Sequence, residues 1–534
     1  MADNSRLDVI VVGAGFAGLY AVHKLREQGL SVQGYERGVG VGGVWYWNRY
    51  PGARCDIESM EYSYSFSEEL QQEWEWKEKF ASQPEILAYL NHVADRFDLR
   101  RSFRFDTEVR SAHYDEEQAV WTLAFGDGST AVSRYLVLAV GCLSTAMRPQ
   151  IEGTERFAGQ ILHTGHWPHE GVDLAGKRVG IVGTGSSGVQ AIPMIAKQAA
   201  ELTVFQRTAT YTVPARNAPL DQAEVHRVKS DYADFRRRNR KMIGARGADR
   251  LNPDAKSVFD ASPEERRDAF LARWAEGGMG IQATYSDLRS DLDANAIVAD
   301  FVRDQIRATV TDPGTAELLC PKQTLGCKRM CIDTDYYATF NLPHVRLIDV
   351  KANPISRFTE NGLVAGGTEY PLDVAIFATG FDAMTGSLLA MDIRGRGGVR
   401  LGDAWADGPG TYLGIATAGF PNMFILVGPG SPSVLANVPI AAEQQVDWVA
   451  GTIAYLDARR CRAIEPQLQA QQDWVDHVNA VAAGTLYMSC DSWYLGANVP
   501  GKARVFMPLF GFPAYEAKCN AVAASGYPGF EITS

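Results

Sequence analysis

An α/β chain with two similar βαβ units and a helical insertion in the second follows from three observations in the sequence. An apolar strand at Leu7–Val12 runs into Gly13-Ala14-Gly15-Phe16-Ala17-Gly18 and then a helical pattern. The order recurs at 177–182, with Gly183-Thr184-Gly185-Ser186-Ser187-Gly188 at the second turn. Between about 221 and 324 strand signals give way to charged, helix-like sequence. Strand, GxGxxG turn and helix in that order mark a Rossmann-like dinucleotide-binding unit, so the predicted fold class is two Rossmann-like domains.

The length of 534 residues exceeds what one hydrophobic core serves. Apolar residues at 46% and charged residues at 22% are ordinary for a globular protein. A net charge of −11 argues against nucleic acid as a partner. The opening MADNSRLD is polar, and no apolar run reaches bilayer length, so neither a secretory leader nor a membrane partner is expected. The eight cysteines form no CxxC and no zinc pattern. No metal is expected, and all eight are read as reduced thiols of a cytoplasmic protein.

In the first unit Gly13 serves the tight turn, Gly15 admits a pyrophosphate at the helix N-terminus, and Gly18 permits close helix–strand packing. The next strand ends at Glu36, which can accept hydrogen bonds from a ribose diol and excludes a 2′-phosphate. FAD or NAD fits. Residues 38–56, GVGVGGVWYWNRYPGARCD, read as a long loop that wraps an extended cofactor and favours FAD. Trp45, Tyr46 and Trp47 would wall the ring system, with Arg54 and Asp56 as a charged pair beside it. A helix over 83–100, strands over 103–109 and 120–125, and a buried strand within 134–144 complete this unit.

In the second unit Pro193 should disturb the helix. The following strand ends in Gln206-Arg207-Thr208, a base and a hydroxyl suited to a 2′-phosphate. Acid in one unit and base in the other imply FAD plus NADPH. The run Arg236–Lys241 reads as a solvated helix face, because no aromatics interleave it to stack on bases. A strand within 371–382 returns the chain. The expected division is 1–144 with 382–534 for FAD, 145–220 with 325–381 for NADP, and 221–324 as the insertion. Residues 428–437 and 492–502 read as site loops. Residues 157–168, FAGQILHTGHWP, show neither helical nor strand periodicity and read as a linker between the units.

Within that linker Phe157, Gly159, His163, Thr164, Trp167 and Pro168 resemble the F-x-G-x-x-x-H-T-x-x-W-P fingerprint of type I flavoprotein Baeyer–Villiger monooxygenases. The paired GxGxxG turns, GGVWYWNRYPGARCD and ATGFD are similar to that family too, and the likeness spans essentially the whole chain. It looks closest to the phenylacetone and steroid monooxygenase branch, through YSYSFSEEL, NAPLD, MTGSL, GPGSPSVLAN and SWYLGANVPGK.

The resemblance implies that NADPH reduces FAD, that O2 forms a flavin C4a-peroxide, and that attack on a ketone gives an ester or lactone through a Criegee adduct. Sulfoxidation and a preference for aryl or bulky ketones are implied as well. Arg329 matches the catalytic arginine, which stays charged at any working pH, and Asp56 the aspartate that holds it. The FAD site is assigned to Gly13, Gly15, Phe16, Ala17, Gly18, Glu36, Gly43, Val44, Trp45, Trp47, Asp56, Tyr62, Val109 and Val438. The NADP site is assigned to Arg54, Cys55, Gly183, Thr184, Gly185, Ser186, Ser187, Gly188, Gln190, Arg207, Thr208, Lys328, Arg329 and Trp493. Cys142, Ser433, Val434 and Leu435 would shape the substrate pocket.

His163 reads as a packed, gating residue rather than a catalytic one. Cys142 and a PLFGFP turn one residue short depart from the family pattern. Competing readings are a flavin monooxygenase acting on N or S atoms, a flavin disulfide reductase, and a redox sensor without chemistry. The oligomeric state is left open.

Overall fold

The computed structural model describes residues 6–250, 255–505 and 511–534. Two parallel-cored sheets dominate it. In the first, strands run in the order Asp392–Arg394, Val109–Asp115, Val120–Phe125, Thr130–Leu138, Leu7–Val12, Val32–Tyr35 and Phe103–Arg104. Met423–Ile425 also pairs in parallel with Leu136–Leu138, so chain from beyond residue 390 returns to complete this sheet. Val9, Ile10 and Val11 are fully buried, as expected of a strand covered on both faces. The helix Phe16–Glu27 packs against the long helix Val438–Arg459 on one face.

The second sheet is wholly parallel, in the order Val345–Asp349, Glu201–Gln206, Arg178–Val182, Val374–Phe377 and Gln160–His163. The helix Ser186–Ala196 covers it and carries Pro193 inside. Residues 160–163 therefore correct the linker reading. QILH is an edge strand paired with Val374–Phe377, too short for its alternation to register in the sequence. Between 221 and 324 the described residues are helical, with helices at Gln222–Ser230, Tyr232–Arg240, Pro263–Glu276, Leu292–Thr309 and Pro313–Leu319. Ser262 and Glu265 close a capping box at the start of the third.

Four further expectations are corrected. Residues Val44–Trp47 form a helical turn within the glycine-rich stretch, not continuous loop. The strand expected over 103–109 is only Phe103–Arg104, and a separate strand begins at Val109. Arg236 is not solvated: it is 6% exposed, donating to Glu61 O, Ser63 Oγ and Gln71 Oε1. Tyr232, Phe235, Arg236 and Asn239 follow the i, i+3, i+4, i+7 spacing, and that stripe, not the linear run of bases, decides which face is buried. Finally, Cys327 and Cys490 are joined in a disulfide, while six other cysteines are free thiols. The partners lie 163 residues apart, beyond the reach of any spacing rule. The first half of the PLFGFP departure, 508–510, lies outside the described residues, which resume at Gly511.

Candidate active site between the two nucleotide units

Each GxGxxG turn is held by backbone contacts that only glycine permits. Gly13 has φ +105°, and a Cβ on it would sit 2.5 Å from Ala139 O; a Cβ on Gly18 would sit 1.8 Å from Gly13 O. Gly183 has φ +110°, and a Cβ on Gly188 would sit 2.2 Å from Gly183 O. The helices that follow have no side-chain cap and no acid in their first turn. Their first N–H groups and positive dipole ends are thus left for an anion. Space is kept free there too: a Cβ on Gly43 would lie 2.9 Å from Gly15 Cα, and one on Gly185 would meet nothing within 4 Å. Both turns fit the pyrophosphate of a dinucleotide.

Glu36 closes the first turn. It is 7% exposed, and its carboxylate accepts from Ala14 N at 2.8 Å and Gly38 N at 2.7 Å. Burial pushes its carboxyl up, and the two amide bonds work against that. A carboxylate has room for further donors such as ribose hydroxyls. Trp45, Tyr46 and Trp47 do not form one wall, because successive residues on a helical turn point about 100° apart. Trp45 donates to Tyr62 OH, whose ring meets Phe16 edge-on. Tyr46 packs beneath Gly38, while Trp47 lies against Arg37 and His166. Val109 is buried in the sheet, and Val438 opens the long helix.

At the second turn Thr184 Oγ1 donates to Thr208 O, and Ser186 Oγ lies 3.2 Å from Cys331 Sγ. Arg207 and Thr208 are exposed. Burial, then the charge of Arg207, pushes the Lys328 ammonium down, so two cations face one place where a phosphate would relieve them. Gln190 has a different task. Its amide accepts from Tyr50 OH and Arg54 N and donates to Arg54 O, stitching the second unit to the 50–54 segment. Ser187 also hydrogen-bonds Tyr50.

Arg54 and Asp56 do not pair with each other. Their side chains diverge: Arg54 binds Glu78 and Phe80 O, while Asp56 receives a bidentate bond from Arg329, Nε at 2.7 Å and Nη2 at 2.8 Å. Arg329 Nη1 donates to Val434 O at 2.9 Å, and its guanidinium also meets the Tyr494 hydroxyl. The pair is about four-fifths shielded, with side-chain exposures of 20% and 21%. Burial alone would push the Asp56 carboxyl up; the Arg329 charge and hydrogen bonds, with Arg246 behind them, hold it below the usual range. The same pairing keeps Arg329 charged against its own burial.

Val434 belongs to the 3₁₀ turn Ser433–Leu435, whose first residue has φ +42° and donates to Val427 O. Cys142 hydrogen-bonds Ser433, and burial pushes its thiol up. The Trp493 and Tyr494 rings lie 4.2 Å apart, tilted by 38°, and Trp493 and Cys142 both pack on the Ala383–Met384 cluster. The neighbouring Cys55 thiol is likewise pushed up by burial, so no thiolate nucleophile is at hand.

His163 is buried and neutral. Its Nδ1 accepts from Gly165 N, so its Nε2 carries the proton and donates to Met147 O; burial pushes the imidazole down to about 4. The sequence reading missed Tyr494 as an Arg329 partner, Gln190 as an inter-unit clasp, and the Cys327–Cys490 bridge. Only the first left a signal, an aromatic pair in a glycine-rich loop.

Known proteins match this arrangement. A family model for pyridine nucleotide-disulphide oxidoreductases covers residues 7–257. A Baeyer-Villiger monooxygenase of Pseudooceanicola batsensis is 45% identical over 97% of this chain and 95% of its own length. Phenazine N-monooxygenase PhzNO1 of Lysobacter antibioticus is 43% identical over 100% and 98%. A solved oxidised steroid monooxygenase bound to NADP is 53% identical, covering 99% of this chain and 100% of that one at a TM-score of 0.94. The cofactors are FAD and NADPH. An arginine pinned at their junction, on a chain matched end to end at these identities, leads to one conclusion: the chain belongs to the Baeyer–Villiger monooxygenase family, NADPH-dependent flavin enzymes that insert oxygen.

Proposed function

We propose that the chain converts ketones, with O2, into esters or lactones, with aryl or bulky ketones favoured and sulfides as side substrates. The bidentate Arg329–Asp56 pair at the junction of the two nucleotide sites carries this reading. FAD, once reduced by NADPH, supplies the activated oxygen. Arg329 supplies a fixed positive charge toward the negative charge that develops on oxygen during insertion, and Asp56 and Val434 O aim it. Tyr494 and Trp493 close the site from the C-terminal side and exclude water that would divert the oxidant. The first sheet, 1–144 with 382–534, would hold FAD through Gly13–Gly18, Glu36 and Gly43. The second, 145–220 with 325–381, would hold NADP through Gly183–Gly188, Arg207 and Lys328. Ser433, Val434 and Leu435 would line the ketone pocket with Cys142.

A second reading, oxidation at nitrogen, is favoured by the 43% identity to the relative named for phenazine N-oxidation. One set of incubations separates the two. The yellow protein is bleached with NADPH, re-aerated with an aryl ketone, a sulfide or a heteroaromatic amine, and the products are weighed by mass spectrometry. Ester from the ketone is the expected result. N-oxide without ester overturns the proposal.

A further inference from the structure

Two arginines of the helical insertion, Arg246 and Arg289, form no ion pair among the described residues, and the charge of Arg246 acts on Asp56. The segment that carries Arg246 is fixed against the ketone loop. Asn437 N donates to Gly244 O at 2.8 Å, Gly247 N donates to Glu61 Oε1 at 2.8 Å, and Phe512 N donates to Ile243 O at 2.8 Å. A Cβ on Gly244 would lie 3.2 Å from Leu435 O and 3.4 Å from Arg246 Nε, so the Arg246 guanidinium begins next to the Ser433–Leu435 turn. Among the described residues both of its Nη atoms meet Met279 Sδ, at 3.6 Å. A thioether is a weak acceptor for a group that presents a fork suited to carboxylate.

Arg289 lies within electrostatic reach of Arg246. It forms no ion pair among the described residues, and the nearby charge opposing it is that of Arg246. Tyr487 stands within electrostatic reach of Arg289, Arg329 and Arg246 together. The acids nearby do not balance them. Asp56 is committed to Arg329. Glu61 is buried and already accepts from Gly247 N; burial and the neighbouring Glu58 push its carboxyl up to about 7. Arg246 thus shares with Arg329 a carboxylate, Asp56, that is already committed, and Arg289 adds a third cation within reach of Arg246 and Tyr487, in a chain whose net charge is −11. The 2′-phosphate place at Arg207 and Lys328 is a separate pair of cations.

We propose that Arg246 and Arg289 form a subsite for a carboxylate carried by the substrate, so that the preferred ketones are keto acids whose carbonyl lies at Arg329 and whose anionic end lies in the insertion. This rests on the ketone reading of the site. Fork-to-carboxylate bonds give both affinity and a fixed approach of the carbonyl.

The test compares an aryl ketone with the same ketone bearing a ring carboxylate, both on the FAD-loaded enzyme. The parent should favour the carboxylate in kcat/KM. Replacing the exposed Arg289 with Gln, which leaves the buried packing intact, should lower that preference about tenfold through KM, and Arg246→Met should lower it further, as expected for loss of charge-assisted bonds. Arg246→Lys should restore part of it. Titration of the oxidised enzyme with the keto acid, followed by tryptophan fluorescence, should weaken in parallel. An unchanged preference overturns the subsite. So does a rise in KM for NADPH equal to that for the keto acid, which would give these arginines to the dinucleotide. Fluorescence binding of the keto acid that weakens in both variants, with no ester from either ketone, would retain the subsite and remove the ketone chemistry instead.

Discussion

Arg329→Ala removes three N–H donors at once, two from Asp56 and one from Val434 O. The expected loss in ester formation is about 10²–10³ in kcat, the usual cost of one donor aimed at a developing oxyanion. Bleaching by NADPH should survive, because reduction needs no such donor, and O2 consumed in re-oxidation should appear as hydrogen peroxide. Stability changes too. Asp56 stays about four-fifths shielded but loses its partner, and an unpaired buried charge costs about 3–5 kcal/mol, nearer the lower end for a group with residual access to water.

The pH dependence gives the sign. In the parent the folded Asp56 value lies below the unfolded one. Its contribution is therefore present above about pH 4 and is lost as pH falls through the folded value. In the variant burial outweighs what remains to oppose it, and the folded value lies above the unfolded one. The penalty is then absent below about pH 4 and grows as pH rises. The gap in melting temperature between parent and variant should therefore widen from about pH 5 to about pH 8. Thermal melts across that range, anaerobic bleaching and ester quantitation by gas chromatography suffice. Ester formation within tenfold of the parent, or a gap indifferent to pH, refutes the reasoning.

Three other substitutions probe separate parts. Arg207→Ala should raise KM for NADPH about tenfold or more and leave KM for NADH nearly unchanged in steady-state assays, as expected for one lost charge-assisted phosphate contact. Arg236→Met removes the donor to Gln71 Oε1 and one of the two donors to Glu61 O, and should lower stability in urea by about 1–3 kcal/mol, without altering the NADPH-to-NADH ratio. His163 has a folded value of about 4, below the usual 6.5, so the parent should lose stability as pH falls from about 6.5 toward 4. His163→Gln, measured by the same melts, should lose less over that interval. Equal losses would mean that His163 does not titrate in this way.

What was legible in the sequence is what local geometry dictates. Gly13, Gly18, Gly183 and Gly188 must be glycine because backbone oxygens occupy the place of a Cβ, and that demand writes itself as a motif. Arg329 and Asp56 were legible through resemblance alone, since nothing in the sequence links two residues 273 positions apart. The Arg54–Asp56 pairing failed because neighbours in sequence need not face one another: the chain turns between them, and Glu78 competes for Arg54. The Arg236 reading failed because composition was weighed where helical phase decides. Residues 160–163 were missed because four residues carry too little alternation, and their partner strand lies more than two hundred positions away.

The bridge between Cys327 and Cys490 has a topological consequence. It closes a ring that contains the chain's whole return path from the second sheet to the first, including the exposed turn around Val399. A single nick anywhere between 328 and 489 would yield not two fragments but one molecule of two strands, full-sized on a gel until a reductant is added. Arg329 and the Trp493–Tyr494 pair would then stay tethered near the two ends of the bridge, so a clipped enzyme would keep its site together after its backbone is no longer continuous.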